Sequence, residues 1–216
     1  MNPGIWNYLE RITDIVHGNQ CYQDFNDIRS QFYASSEWTS GYPAATGIGT
    51  QHGGILVDFN AVKGGIEIIP LDNDWQKAAH VYSDEVLISH RTDAEKGTPK
   101  FERGKSLSDH QCEMIYISGT AAIRGEESIV TGDVLVQTEI TLENIQHLIG
   151  LEEGREKLPE HSGKLELLRV YLKHEEDAKI VKEDMDKLCP DVPIVYLYAD
   201  VCREELLVEI EGIAYL

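Results

Sequence analysis

From residue 99 to the end, the chain alternates strand-like and helix-like segments in an order that few folds accept. Phe101 to Ser108 reads as a short strand. Glu113 to Ile123 is rich in β-formers and broken at Gly119. Asp133 is placed to cap a helix whose positions Leu135, Thr138, Leu142, Ile145 and Ile149 follow helical spacing, and Gly150 stands where a C′ glycine belongs. Leu165 to Leu172 is a strand. Ala178, Val181, Met185 and Leu188 form a second helical stripe, stopped by Pro190. Residues 192–201 and 205–216 supply the last two strands. The order β-β-α-β-α-β-β, with both helices on one face of a mixed sheet, predicts a two-layer α+β domain over residues 99–216.

The first 98 residues are less regular. Tyr22, Phe25, Ile28 and Phe32 recur at spacings of three, three and four, which predicts an amphipathic helix with these residues inward. Thr39 to Gly54 is a turn-rich patch that includes Gln51-His52-Gly53-Gly54. Gly54–Val62 and Ile66–Leu71 read as strands, and residues 72–98 are polar and irregular. A boundary is expected near Gly97-Thr98-Pro99, dividing a partial unit (1–98) from a complete domain (99–216). No repeat recurs at a fixed period of 20–50 residues. The charged, glycine-bearing segment 150–164 reads as a surface connection.

The charge balance narrows the partners. Nineteen basic side chains against 38 acidic ones give a net charge of −19. Nucleic-acid binding, which needs clustered Lys and Arg, is not expected. An anionic small substrate would meet a repulsive far field, so a few arginines would have to dominate locally. No apolar run approaches 18 residues, so no membrane span is expected. The N-terminus lacks a basic stretch followed by an apolar one. Cys21, Cys112, Cys189 and Cys202 have no metal-site spacing and read as reduced thiols of a cytoplasmic protein. The eight histidines suggest no metal, and Gly47 and Gly49 open no dinucleotide fingerprint, so no cofactor is expected.

The chain closes with Ala199-Asp-Val-Cys-Arg-Glu-Glu-Leu-Leu-Val-Glu-Ile-Glu-Gly212. As a strand it places Glu209 and Glu211 on one face. Two readings are open: a solvated polar face, or a pair of acids serving acid/base chemistry.

Residues 117–145 and 192–214 resemble the Rid/YjgF family, which carries a G-D-x-x-x-Q-T helix start and an LVEIEA terminal strand. Here these are Gly132-Asp133, Gln137-Thr138 and Leu207 to Glu211. A closer resemblance is to the chorismatases, formerly labelled pteridine-dependent dioxygenase-like. It rests on Tyr196 to Arg203 with Leu206 to Gly212, on Ser118 to Ala122, on Trp6 to Ile12, on Pro43 to Gly49 and on Phe101 to Gly104. The resemblance implies a Rid-like fold, with residues 1–98 as a partial first domain.

It also implies an activity: hydrolysis of the enol ether of chorismate to pyruvate and 3-hydroxybenzoate or a dihydrodiol. Glu209 matches the family's proton donor. Glu211, on the same face, would raise its pKa by like charge. A cysteine at position 202 marks the branch that forms 3-hydroxybenzoate; the alternative is a small buried hydrophobe. Arg103 and Arg169 are the candidates for the substrate carboxylates, each with a surface ion pair as its alternative. Arg203 alternates away from Cys202 and ranks lower. Ser118, Gly119 and Thr120 interrupt a strand with small residues, as where a ligand approaches closely, and Tyr82 loosely matches a family tyrosine. The Rid deaminases grip a carboxylate with an arginine fifteen residues before the position of Glu209, and here that residue is Ile194. An enamine/imine deaminase is thus disfavoured, and a non-catalytic binding homologue is the third reading. Rid-like proteins imply a homo-oligomer, commonly a trimer.

Overall fold

The computed structural model describes residues 1–86, 96–110, 113–150 and 164–215. In chain order these form β1 (Gly4–Glu10), β2 (Ile15–Val16), β3 (Asn19–Gln20), α1 (Cys21–Tyr33), β4 (Ala44–Thr50), β5 (Ile55–Asn60), β6 (Glu67–Leu71), β7 (Gly104–Ser108) and β8 (Glu113–Thr120). There follow β9 (Ile123–Arg124), β10 (Glu127–Ser128), α2 (Val134–Leu148), β11 (Lys164–Leu172), α3 (Ala178–Leu188), β12 (Ile194–Tyr198) and β13 (Val208–Tyr215). The connection expected over 150–164 lies, from 151 to 163, outside the described residues.

The predicted α+β layers are present. Six strands pair in the order β12-β11-β13-β8-β7-β6, with β11 and β12 parallel and the other neighbours antiparallel. Asp133 caps α2, accepting from the backbone N–H of Leu135 at 2.9 Å, and Gly150 ends it in the left-handed region at φ 77°. Leu142 and Ile145 of α2 and Val181 and Met185 of α3 pack with Leu168, Val170, Leu172, Val208, Ile210 and Ala214 from one face of the sheet. Strand β6 joins this sheet through β7, although it lies ahead of the boundary expected near residue 97.

A smaller sheet, ordered β4-β1-β5, pairs β1 with β4 in parallel and with β5 antiparallel. The unit β1-α1-β4-β5 therefore has the connectivity and pairing of β11-α3-β12-β13. The two units end differently. β13 is paired on its far side by β8, whereas β5 is a sheet edge and all six of its residues are exposed.

Three expectations need correction. The patch 39–54 is not all turn, since Ala44–Thr50 is β4. Its small residues serve close packing. A Cβ on Gly47 would come within 2.9 Å of the Tyr22 ring, and one on Gly49 within 2.8 Å of the Asp200 Cβ. Helix α1 forms where predicted, but only the first part of its apolar stripe is covered: Tyr22 is buried and Phe25 half-buried. Ile28 and Phe32 are 64% and 70% exposed, while Gln23, Asn26, Asp27 and Arg29 are buried. Hydrogen bonding decides this: Gln23 Nε2 donates to the Gly97 carbonyl at 2.8 Å, and Asp27 accepts from the Gly97 N–H at 2.6 Å. Finally, β8 runs through Gly119. The interruption shows instead as a register shift against β13, between Ile210 and Gly212.

Candidate active site

Strand β13 alternates as a strand must. Val208, Ile210 and Ala214 enter the core beneath the helices, so Glu209 and Glu211 stand on the opposite face. That face is not solvated. β13 is an interior strand, and β4 lies across its site face. The Ala45 N–H donates to Ser118 Oγ at 2.9 Å, and the Gly119 N–H donates to Thr46 Oγ1 at 3.1 Å. Glu209 is 4% exposed and Glu211 1%. The solvated reading of both acids is thereby overturned, because it took the terminal strand for an uncovered one.

The two acids have opposite surroundings. Glu211 accepts from Arg169 Nη1 at 2.6 Å and Tyr171 Oη at 2.7 Å on one oxygen, and from Thr46 Oγ1 on the other. Among the described residues Glu209 has no hydrogen-bond partner. Burial raises its pKa to about 8, the nearby Glu211 charge adds to this, and Arg103 and Arg203 oppose it. Its carboxylate lies directly against β8. A Cβ at position 119 would overlap Glu209 Oε1, so the absent side chain of Gly119 is the space the acid occupies.

Two cavities, one larger than the other, share Glu209, Gly119, Cys202, Tyr22 and Phe101 as walls. The larger also holds Arg103, Arg203 and Tyr82. Arg103, 3% exposed, donates to the Lys77 carbonyl at 2.6 Å and to Tyr82 Oη. Arg203, 8% exposed, donates to the Glu126 carbonyl at 2.8 Å and Ser128 Oγ at 3.0 Å. Both guanidinium carbons lie 5.5 Å from the Tyr82 ring centroid. Among the described residues neither arginine pairs with a carboxylate. Two buried cations in a cavity wall, with the raised-pKa Glu209 as the neighbouring acid, favour an anion there. The alternation argument against Arg203 fails because residues 199–207 are not a strand, so Cys202 and Arg203 both reach the cavity.

Cys202 is held by its backbone, whose carbonyl accepts from Gln20 Nε2 at 2.9 Å. Burial, then the Glu209 charge, pushes its thiol up to about 12, so it is an S–H group and no thiolate nucleophile at neutral pH.

The remaining expected residues are not gathered here. Arg169 is held between Glu211 and the Trp6 ring, 5.7 Å from its guanidinium carbon, and lines neither cavity. Of Ser118, Gly119 and Thr120, only Gly119 faces the cavities. Ser118 Oγ donates to the Glu102 carbonyl at 2.6 Å and Thr120 Oγ1 to the Ser118 carbonyl at 2.9 Å. Sequence reading missed Tyr22, Phe101 and Arg29 as cavity walls. For Arg29 the available signal was the polar run Gln23, Asn26, Arg29 at a spacing of three. The described residues contain no cluster of three His, Cys, Asp or Glu suited to a metal. None of their helices is long and apolar enough to cross a membrane.

Residues 4–61 match the family model described as Chorismatase FkbO/Hyg5-like, N-terminal. A chorismatase of Streptomyces rapamycinicus is 34% identical, over 96% of this chain and 62% of its own. A 3-hydroxybenzoate synthase of Streptomyces hygroscopicus is 32% identical, over 97% of this chain and 62% of its own. A crystallised chorismatase superposes with a TM-score of 0.81 at 30% identity, covering 98% of this chain and 63% of that one. The chain thus spans about three fifths of the length of the relatives it matches, and over that span it is similar to chorismatases in sequence and in fold.

Proposed function

We propose that the chain is a chorismate hydrolase. The observation that carries the reading is Glu209, a buried carboxyl protonated up to about pH 8 in a cavity walled by unpaired arginines. An enol ether is cleaved after a proton reaches its methylene carbon, and a carboxylic acid still protonated at neutrality can deliver it. Glu209 donates that proton. The adjacent ether carbon becomes an oxocarbenium ion, and capture by water or by the ring hydroxyl leads to release of pyruvate. Without net water the other product is 3-hydroxybenzoate; with one water it is the dihydrodiol.

Arg103 and Arg203 bind a carboxylate in the larger cavity, and Tyr82 orients both guanidinium groups. Cys202 stands beside Glu209 as a neutral thiol that selects between the two products. Glu211, kept ionised by Arg169, supports the protonated state of Glu209 through its like charge. Ser118 and Thr120 act through the backbone that frames Gly119. The exposed apolar residues Ile55, Leu56, Val57 and Phe59 support assembly into a homo-oligomer. A cytoplasmic setting, and residues 1–98 as a partial first domain, belong to the same proposal.

The test is incubation with chorismate, with pyruvate measured enzymatically and the aromatic product identified by chromatography. Pyruvate release is expected, reduced at least 100-fold in Glu209→Gln. No release above buffer, or an unchanged rate in the variant, would sink the reading.

A further inference from the structure

We propose that the open edge of β5 binds the β5 edge of a second copy of this chain, antiparallel about a two-fold axis at Val57; this rests on the homo-oligomer reading above and gives it a geometry. The two four-element units of the fold differ on this side. In β11-α3-β12-β13 the last strand is paired antiparallel on its far side by β8. In β1-α1-β4-β5 the corresponding side of β5 has no strand among the described residues. That edge is apolar in a chain whose net charge is −19. Ile55, Leu56, Val57 and Phe59 are all exposed, Ile55 at 64% and Phe59 at 59%, and Asp58 is the one charged residue of the strand. β5 carries none of the lysines, prolines or bulges that keep an open edge from pairing.

The backbone fixes which residues can meet. β5 runs antiparallel to β1 with Ile55 opposite Leu9, and the Glu10 N–H donates to the Gly54 carbonyl at 2.8 Å. Opposed residues in such a ladder exchange both hydrogen bonds or neither, in alternation. Gly54, Leu56, Asp58 and Asn60 therefore direct their backbone groups at β1, and Ile55, Val57 and Phe59 direct theirs at the open edge. No hydrogen bond from elsewhere in the described residues reaches those three. A second β5 meets the same parity when Val57 faces Val57. Ile55 then faces the second copy's Phe59, Phe59 faces its Ile55, and each pair exchanges both bonds. Asp58 falls opposite Leu56, away from its own counterpart. Sliding the register so that Val57 faces Phe59 would set Asp58 against Asp58, which like charge disfavours. Sliding it the other way sets Phe59 against Gly53, which lies outside the strand. One register thus joins the apolar residues and separates the acids, the self-complementarity that a two-fold interface requires.

Net charge gives this association a signature. Both copies are strongly negative, so they repel at a distance, and salt screens that repulsion. The experiment is sedimentation equilibrium on the 216-residue chain across a range of sodium chloride, with cysteine cross-linking to read the register. A species of twice 24.3 kDa is expected, with a dissociation constant that falls as salt rises. Val57→Pro and Val57→Lys are expected to weaken it at least about 100-fold, the first by removing an N–H from each copy and the second by opposing two charges on the axis. The Val57 N–H points away from β1, so proline leaves the β1 ladder intact, and thermal melts check that both variants are folded. Val195→Lys, on the edge strand β12, is the control and should leave the dimer unchanged. Under mild oxidation Val57→Cys is expected to form a disulfide between the two copies of position 57, and Asp58→Cys none, read by peptide mass spectrometry. If either Val57 variant unfolds, the cross-link decides. A monomer at every concentration overturns the inference together with the oligomer reading, and leaves the hydrolase reading to the pyruvate assay. An oligomer that survives both Val57 variants, or that Val195→Lys abolishes, overturns the inference alone. So does a disulfide in Asp58→Cys with none in Val57→Cys.

Discussion

The carboxylate of Glu209 occupies the position that a β-carbon on Gly119 would need. The alanine variant at 119 therefore tests the site without touching its acid. Gly119 has no positive φ, so the backbone tolerates a side chain, and the main conflict is with the carboxylate, with the Thr46 methyl a lesser one at 3.1 Å. Gly119→Ala is expected to lower pyruvate release by about 100-fold, the scale of a misplaced general acid. A rate within threefold of wild type would mean that the carboxylate is free to sit elsewhere.

The pH profile follows from the raised pKa of Glu209. The acid form donates, so kcat/KM is expected to be level near pH 7 and to fall as pH rises through about 8. Stability has the same sign. The folded protein holds this proton above the usual carboxylate range, so the contribution is full below that range and is lost as pH rises to about 8. Glu209→Gln removes the dependence. Its Tm should exceed that of the wild type at pH 9, and the gap should close towards pH 5. Thermal melts across that window decide the matter, and a gap that does not change with pH would contradict the assignment.

Cys202 is expected to resist alkylation. With its thiol pushed up to about 12, very little thiolate exists at pH 7.5. Iodoacetamide should leave Cys202 unmodified in the folded protein and modify it fully after denaturation, read by peptide mass spectrometry. Rapid modification of the folded protein would show a depressed thiol pKa and a different chemical role.

Arg169→Met would leave Glu211 buried with only Tyr171 and Thr46 as partners. A loss of about 2 kcal/mol is expected from denaturant unfolding, the scale of a hydrogen bond to a charged group. Chorismate affinity should change far less than in Arg103→Met, because Arg169 lines neither cavity. A larger affinity loss in Arg169→Met than in Arg103→Met would return Arg169 to the substrate.

The sheet and both of its helices were legible because their periodicities agree with their burial. Asp133 and Gly150 mark the ends of α2, and Val181 and Met185 are buried as their spacing implies. β4 was not legible. Its small residues Ala44, Ala45, Gly47 and Gly49 read as turn formers, and only the neighbours Tyr22, Ile12 and Asp200 explain the two glycines. In the site, Glu209, Cys202 and Arg103 were visible through motif resemblance. The burial of Glu211 was not, since a strand pattern cannot show that a second sheet crosses it. Arg203 was misread because alternation was carried through a segment that is not extended.

The same four-element unit occurs twice in this chain and is put to two uses. In β11-α3-β12-β13 the helix turns Val181 and Met185 towards the sheet, and the unit holds up the core. In β1-α1-β4-β5 the helix turns inward a row of amides and a guanidinium, while its apolar residues Ile28 and Phe32 face out. One copy is the beam and the other a wall of the candidate site. The consequence is a division of risk. Substitutions on the inner face of α3 should be felt as lost stability, and those on the inner face of α1 as lost recognition, although the two helices hold equivalent places in the architecture.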